Sequence, residues 1–286
     1  MRNYPPIIII GMHRSGTSLV IRMLETLGLF VGKKKEENNE AVFFQKLNDW
    51  ILRQSGGAWD HPQPVKSLLR NTEICALVCD YLKLMLNSPR VISYLGWRKC
   101  LQYRSPFKLD IPWGWKDPRN TFTLPLWLDL FPDAKVIHVY RHGVDVANSL
   151  LVRQQKVLKI YQRKYPKLKR IYWLHPKRGG FTNTLRCATL EGGFSLWEEY
   201  MQKARSHMDE LEDRAIEVKF EDLLQNPSVV LQSLVEFCGI KPSREALAKA
   251  VIQVRPDRAN AYRNDKGLKN FAQTVRDRLM VYGYDA

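Results

Sequence analysis

The chain has 286 residues, and its 45 Lys and Arg against 29 Asp and Glu give a net charge of +16. With 45% apolar and 11% aromatic residues it can build a packed core, which excludes a disordered, collagen-like or low-complexity chain. The charge excess indicates an anionic partner such as a nucleotide, a phosphate group, an acidic glycan, a nucleic acid or a membrane surface.

The predicted elements begin with a strand at 7–10, whose four isoleucines precede Gly11. A loop at 11–16 leads into a helix that starts at Thr17 or Ser18 and ends before Gly28. Further helices are predicted at 41–54, 74–86, 121–131, from 144 onward, and at 190–211 and 228–238. Further strands are predicted at 113–116, 135–140 and 215–220, and the chain after 243 is predicted to be helical around a loop at 255–265.

Because strands alternate with helices, the pattern predicts an α/β fold with a mainly parallel sheet. We expect a P-loop-like three-layer core with additional helices. No internal repeat or linker is visible, so the sequence predicts one domain over 1–286, with a core at about 6–240 and a helical C-terminal part at about 241–286.

The five cysteines are an odd number and lack zinc-ligand spacing, so the sequence predicts neither a disulfide framework nor a metal site. No apolar run reaches the roughly 18 residues that a membrane span needs, and 7–10 is too short for a signal-peptide core. We therefore expect a cytoplasmic protein without a transmembrane segment.

A strand, a glycine-rich loop and a helix follow one another in the segment IIIIGMHRSGTSL. This order gathers free backbone N–H groups and the positive end of a helix, which together bind phosphate or a related oxyanion. Gly11 and Gly16 have the spacing of the nucleotide-binding template GxxxxGK[ST], but Thr17 stands where the template has Lys. The missing Lys argues against a nucleoside triphosphate, and Arg14 can supply a replacement charge.

A second oxyanion site is predicted after the strand at 135–140. Arg141 follows that strand directly, and Ser149 and Arg153 lie four residues apart on the next helix, where they share a face. An Arg at the end of a strand, with Ser and Arg on the following helix, can hold a phosphate. Two separate sites fit a ligand with phosphate groups at both its 5′ and 3′ ends.

These segments resemble sulfotransferases that use 3′-phosphoadenylyl sulfate (PAPS). GMHRSGTS is similar to their 5′-phosphosulfate loop, and Arg14 resembles the tyrosylprotein and bacterial members, since cytosolic members have Lys there. The resemblance covers pieces between Pro6 and Asn226. The donor-binding residues that it implies are Arg14, Ser15, Gly16, Thr17 and Ser18 for the phosphosulfate, Arg141, Ser149 and Arg153 for the 3′-phosphate, and Phe220 for stacking on adenine.

The family's chemistry is an in-line displacement at sulfur, which needs positioning and charge stabilisation and no metal. The resemblance places Lys116, in WGWKDPR, at the bridging oxygen of the donor, where it and Arg14 would stabilise the leaving group. Asp117 is expected to fix the turn before Pro118.

An acceptor hydroxyl, or an amine, also needs a general base. Glu40 is the first candidate, although EENNEAVFF also offers Glu36 and Glu37, and a solvated acid at a helix start is the competing interpretation. His61 is the second candidate. His13 is expected to shape the glycine loop, and His138 to be structural.

A basic run lies between Leu151 and Leu190, where eleven Lys or Arg occur without an Asp or Glu. It can be a solvated face, or it can bind an acidic glycan, a lipid headgroup at a membrane surface, or nucleic acid; the last is the weakest because no nucleic-acid fold signature accompanies it. Our hypothesis is that this run flanks the acceptor entrance and recruits anionic acceptors.

The sequence therefore predicts a PAPS-dependent sulfotransferase that releases 3′,5′-ADP. Its acceptor is expected to be a small molecule, a glycan or a lipid, and a peripheral membrane contact is compatible with the basic run. The alternatives are a P-loop kinase or NTPase, against which Thr17 argues, and a non-catalytic module that binds anionic polymers or membranes.

Overall fold

A computed structural model describes residues 4–255 and 258–285. Four strands form one sheet: β1 (Ile7–Ile10), β2 (Gly114–Lys116), β3 (Lys135–Tyr140) and β4 (Ala215–Lys219). They lie in the order β2-β1-β3-β4, and every neighbouring pair is parallel. The predicted α/β fold with a parallel sheet is confirmed, and the predicted strands differ from the observed ones by a single residue at the start of β2 and at the end of β4.

The described part of the chain also contains thirteen α-helices. They are α1 (Thr17–Thr26), α2 (Val42–Gln54), α3 (Val65–Arg70), α4 (Thr72–Asn87), α5 (Ile92–Tyr103), α6 (Asn120–Leu130), α7 (Gly143–Leu174), α8 (Leu190–Leu211), α9 (Phe220–Gln225), α10 (Pro227–Cys238), α11 (Arg244–Val251), α12 (Lys266–Thr274) and α13 (Arg276–Met280).

Three helices were not predicted from the sequence. α3 and α9 have only six residues each, too few for a periodic apolar pattern. α5 contains Gly96 with a φ of 71°, a conformation that interrupts helical periodicity. Phe220 was predicted as the last residue of a strand, and this is corrected: β4 ends at Lys219, and Phe220 begins α9.

The described chain forms two compact units, one from Met1–Arg141 with Tyr200–Ala259 and the other from His142–Glu199 with Asn260–Ala286. The first contains the whole sheet, with helices α1 to α6 and α9 to α11 and the second half of α8. The expectation of a single domain over 1–286 stays a prediction.

The core of the first unit has two sides, because successive side chains of a strand point to opposite faces of a sheet. Ile8 and Ile10 face a cluster that includes Trp115 and Trp127, whereas Ile7 and Ile9 face a cluster built on α1 and α10. On the first side, the ring of Phe44 stacks on Trp115 with 3.9 Å between centroids. Helices on both faces of a parallel sheet give the predicted three-layer core.

The carboxyl ends of the four strands lie along one edge of the sheet, since all the strands run in the same direction. Four of the sequence-derived positions follow those ends directly: Gly11 after β1, Asp117 after β2, Arg141 after β3 and Phe220 after β4. In open parallel sheets, ligands bind at this edge, next to the strand from which the chain continues to opposite sides of the sheet. Here that strand is β1, because β2 lies on one side of it and β3 on the other.

The second unit is built from α7, the first half of α8, α12 and α13. Gly143 lets α7 approach α8 closely, because a Cβ atom there would lie 2.7 Å from the rings of Phe194 and Trp197. Asp145 accepts hydrogen bonds from the backbone N–H groups of Ala261 and Tyr262, at 3.2 and 2.8 Å. Within residues 4–255 and 258–285, no helix has both the length and the apolarity to cross a membrane.

Candidate functional site

The glycine loop connects β1 to α1 through backbone conformations that few residues other than glycine adopt. Gly11 has a φ of 128°, and a Cβ atom there would lie 2.1 Å from the carbonyl oxygen of Val139. Gly16 has a φ of 94° and caps α1, and a Cβ atom there would lie 2.2 Å from the ring of Phe220. Side chains at these positions would therefore displace β3 or α9, which explains the spacing of the two glycines.

Ser15 is fully buried in this loop, and its hydroxyl has no hydrogen-bond partner within the described part of the chain. An unpaired buried hydroxyl costs free energy unless a ligand or water satisfies it. Next to it, the first N–H groups of α1 have no acceptor within the helix. The loop thus combines several donors at one place, as an oxyanion site requires.

Three arginines of the first unit lie close together beside the loop. Partial burial lowers the pKa of the Arg14 guanidinium, and the neighbouring charges of Arg141 and Arg258 lower it further. Arg141 donates from Nη2 to the carbonyl oxygen of Arg258 at 2.8 Å, and its guanidinium lies 5.0 Å from the ring centroid of Phe220. Such a concentration of positive charge favours an anionic ligand.

The structure therefore brings Arg14, Arg141 and Phe220 together and adds Arg258. Their assignment to the donor stays a prediction. Arg258 lies in the predicted loop at 255–265, within the part of the chain where the family resemblance fades, so no sequence signal pointed to it. Ser149 and Arg153 belong to the second unit, where they lie one turn apart on α7 and are both half-buried. Their assignment to a phosphate stays a prediction.

A buried ion pair lies beside the loop. Lys116 at the end of β2 donates from Nζ to Glu40 Oε1 at 3.1 Å and to the hydroxyl of Ser18 at 3.3 Å. The side chains of Lys116 and Glu40 are only 1% and 6% exposed. Burial lowers the pKa of the Lys116 ammonium, and the carboxylate of Glu40 opposes that shift. One ammonium group thus contacts both an acid and the start of α1.

The candidate bases differ sharply in their surroundings. Glu40 is buried and also accepts a hydrogen bond from Gln45 at 3.0 Å, whereas Glu36 and Glu37 are exposed. His61 is exposed at a turn, and its backbone N–H donates to the carbonyl oxygen of Ala58. Among the three acids of the loop, Glu40 is therefore the one in contact with Lys116.

The turn after β2 rests on a buried polar network that sequence reasoning did not find. Asp117 Oδ1 accepts from the backbone N–H and the guanidinium of Arg119 at 3.0 and 3.1 Å, as expected for a turn-fixing Asp. Asn48 on α2 donates to Asp117 Oδ2 at 3.0 Å and to Asn120 Oδ1 at 2.7 Å. These buried hydrogen bonds restrict the conformation of the turn, and they thereby hold the backbone of the adjacent Lys116 in place.

Two further histidines have structural contacts. His13 lies edge-on to the ring of Trp59 at 4.7 Å, which fits its expected role in shaping the loop. His138 in β3 is buried and lies 2.9 Å from the carboxylate of Glu217 on β4. The described residues include no group of three or more His, Cys, Asp or Glu side chains that could hold a metal ion.

His207 on α8 supports the glycine loop through Thr121. Its Nε2 lies 3.0 Å from the carbonyl oxygen of Thr121, and the Thr121 hydroxyl accepts from the N–H of Gly11 at 3.1 Å. Burial is the main reason why the pKa of His207 falls from 6.5 to about 4, and the positive charge of Lys203 lowers it further. The imidazole is therefore neutral in the folded protein near pH 7, with its proton on Nε2 and donated to Thr121.

We expect His207 to make the fold sensitive to acid. The pKa is lower in the folded protein than in the unfolded chain, so the stability that the neutral imidazole provides is present above pH 6.5 and is lost as the pH falls toward 4. At pH 5 this loss amounts to about 2 kcal/mol. Chemical denaturation of the wild type and of His207→Gln at pH 7 and pH 5 measures it, and an equal loss in both proteins would contradict the assignment.

Comparisons with known proteins show the family and the fold of this chain. The model of the sulfotransferase family matches residues 5–244. No curated protein matches the sequence. Among solved structures, the chain is similar to a sulfotransferase domain from the curacin biosynthetic pathway, with 16% identity, a TM-score of 0.53 and coverage of 96% of this chain and 98% of that one. This likeness shows the fold.

Two more solved structures have lower TM-scores. A sulfotransferase domain from the Synechococcus PCC 7002 olefin synthase has 19% identity and a TM-score of 0.49, and the alignment covers 100% of this chain and 97% of that one. A sulfotransferase from Alicyclobacillus acidocaldarius has 15% identity and a TM-score of 0.44, with coverage of 98% and 96%.

Proposed function

The chain belongs to the sulfotransferase family, and we propose that it transfers a sulfuryl group from PAPS to a hydroxyl or amine acceptor, releasing 3′,5′-ADP. The observation that carries this proposal is the group of three arginines, Arg14, Arg141 and Arg258, beside a glycine loop with an unpaired buried serine hydroxyl. A ligand with more than one phosphate would satisfy the donors of the loop and neutralise the arginines together.

The residues of the loop and of the arginine cluster fit the two ends of such a donor. In this proposal the donor groups of the glycine loop and Lys116 hold the phosphosulfate. Arg141, with Ser149 and Arg153, holds the 3′-phosphate. Phe220 lies against both Gly16 and Arg141 and contributes to the adenine side of the site. The proposed donor-binding residues are Arg14, Ser15, Gly16, Thr17, Ser18, Arg141, Ser149, Arg153 and Phe220, with Arg258 added.

PAPS would supply an activated sulfuryl group on a phosphate leaving group, and the residues of this chain would supply charge stabilisation and a base. Lys116 and Arg14 stabilise the negative charge on the leaving phosphate oxygen. Glu40 takes the proton of the acceptor hydroxyl as the new bond to sulfur forms. Lys116 Nζ donates to Glu40 Oε1 at 3.1 Å, so the proposed base and the residue that stabilises the leaving group are in direct contact.

All five cysteines are free, which agrees with the proposed cytoplasmic location. The acceptor is proposed as a small molecule, a glycan or a lipid.

The alternative of a kinase or NTPase is not supported by the loop, because Thr17 is buried at the position where those enzymes carry Lys.

Binding of 3′,5′-ADP tests the donor assignment. We expect 3′,5′-ADP to raise the melting temperature more than Mg-ATP does, because its two separate phosphates reach both oxyanion sites. Arg141→Ala should weaken 3′,5′-ADP binding by at least about tenfold, since it removes a charge-assisted contact of roughly 1.5–3 kcal/mol. Isothermal calorimetry measures the affinity, and a radiolabelled PAPS assay with candidate acceptors measures transfer.

Arg70→Ala is the matched control, because Arg70 is an exposed arginine of the same unit at the end of α3. It should bind 3′,5′-ADP as the wild type does. Preferential stabilisation by Mg-ATP would instead support a kinase or NTPase. Binding of anionic polymers that survives both Arg14→Ala and Arg141→Ala, without binding of 3′,5′-ADP, would support a non-catalytic module.

A further inference from the structure

The distal part of α7 lacks the burial that normally stabilises a helix. The helix has 32 residues, and the last buried one is Gln154, so the segment 155–174 contributes no buried side chain to the protein core. Helices gain most of their stability from packing of an apolar face, and a helix of this length in water gains little from propensity alone. Pro166 within the segment also removes one backbone hydrogen bond.

One side of this segment is covered by the chain that follows it. The rings of Tyr161 and Tyr165 lie 5.8 and 5.4 Å from the ring of Phe181, and the ammonium of Lys177 lies 4.8 Å from the ring of Tyr161. Residues 161 and 165 are one turn apart, so they mark a single face of the helix. The opposite face is the one that remains open.

The open face combines positive charge with large apolar side chains. Six exposed residues follow one another at alternating spacings of four and three, which places them in one stripe along the helix. We call this stripe the basic stripe; it consists of Lys156, Ile160, Arg163, Lys167, Arg170 and Leu174. Leu174 ends the stripe and is 67% exposed, and Trp173, which lies about 100° away around the helix, is 85% exposed.

The segment around the stripe is also free of acidic residues, because no Asp or Glu occurs between Leu151 and Leu190. A purely basic face would suit any polyanion. The exposed side chain of Ile160 between the charges, and those of Trp173 and Leu174 after them, would be buried by an apolar phase, which an acidic polysaccharide does not offer. A helix that exposes Lys and Arg together with Trp and Leu can bind an anionic membrane surface through both charge attraction and burial of apolar side chains.

We propose that the basic stripe is a docking surface for an anionic lipid bilayer. The four basic side chains would contact lipid phosphates, and Trp173 and Leu174 would enter the boundary between headgroups and acyl chains. The surface contains none of the residues proposed to act on the donor, so membrane binding and sulfuryl transfer are separable properties.

Co-sedimentation of the full chain with vesicles tests this docking. The wild type should bind vesicles of phosphatidylcholine with phosphatidylserine, should not bind vesicles of phosphatidylcholine alone, and should be released at high salt. The triple variant Arg163→Gln/Lys167→Gln/Arg170→Gln should bind at least about tenfold more weakly. With anionic vesicles we expect a blue shift of the wild-type tryptophan fluorescence, and Trp173→Ala/Leu174→Ala should reduce this shift and bind more weakly.

The matched control is Lys66→Gln/Lys83→Gln/Lys241→Gln, which changes the net charge equally at exposed positions of the first unit. It should bind vesicles as the wild type does, and a loss equal to that of the stripe variant would overturn the proposal. Two other results would also overturn it: retention on heparin without binding to anionic vesicles, which would indicate a polysaccharide, and unchanged vesicle binding by the Trp173→Ala/Leu174→Ala variant. Circular dichroism confirms that each variant is folded.

Discussion

Glu40→Gln is expected to lower kcat by about 10²- to 10⁴-fold while the affinity for 3′,5′-ADP stays close to that of the wild type. The amide has nearly the shape of the carboxylate and can still accept a hydrogen bond from Lys116, but it cannot take a proton from the acceptor. The loss should fall on kcat and leave the donor KM little affected. Because Gln leaves the ammonium of Lys116 buried without a charged partner, unfolding free energy should also fall, and kcat is measured where the variant is folded. Steady-state kinetics with the radiolabelled donor, together with calorimetry, measures both quantities.

Glu36→Gln and Glu37→Gln are matched controls, because they remove exposed acids from the same loop. Both variants should keep wild-type kcat. Full activity in Glu40→Gln combined with a large loss in His61→Gln would move the base to His61, while the proposed donor site would remain supported by 3′,5′-ADP binding.

Lys116→Met is expected to reduce both activity and stability. It removes a positive charge from the proposed leaving group, which typically costs about 10²–10³-fold in rate. It also leaves the carboxylate of Glu40 buried without its ion-pair partner, and breaking a buried pair in this way costs about 3–5 kcal/mol of unfolding free energy. Urea denaturation measures the stability, and kcat is measured under conditions in which the variant is folded.

The double variant Lys116→Met/Glu40→Gln separates these two effects. It replaces the ion pair by two uncharged side chains, so most of the lost stability should return, because no unpaired charge remains buried. Its activity should stay as low as that of the worse single variant. A double variant as unstable as Lys116→Met would show that the ion pair is not the source of the loss, and recovered activity would exclude Lys116 from the chemistry.

The sheet could be predicted from sequence because local composition defines its strands. Ile7–Ile10 is a run of β-branched residues followed by glycine, and all four side chains are buried on two faces of the sheet. Gly11 and Gly16 were predicted to form an anion-binding loop from their spacing, and both have the positive φ angles that such a loop uses. These features depend on residues within a short segment.

Features that depend on distant parts of the chain were not predictable in this way. Arg258 follows no periodic pattern, and its proximity to Arg14 and Arg141 exists only in the folded protein. Asn48 looks like an isolated polar residue among the apolar positions of α2. Its partner Asp117 lies 69 residues further along the chain, and both are fully buried.

Glu40 lies between these two cases. The sequence placed three acids in one loop before α2 and made Glu40 the first candidate, although each can act as a solvated residue at a helix start. Burial of Glu40 and its contact with Lys116 on β2 make the distinction, because Lys116 is 76 residues away in sequence. The role of Glu40 as the base stays a prediction, and its contact with Lys116 is what only tertiary packing could provide.

The arginine cluster has a practical consequence for biochemical work on this protein. Arg14, Arg141 and Arg258 repel one another when no anion is bound, so small oxyanions such as phosphate or sulfate from a buffer should stabilise the protein. Such ions would compete with the nucleotide, and they would raise its apparent dissociation constant by a factor of one plus the ratio of the ion concentration to the ion's own dissociation constant. Affinities measured in chloride-based zwitterionic buffers at stated ionic strength would therefore represent the intrinsic strength of the site.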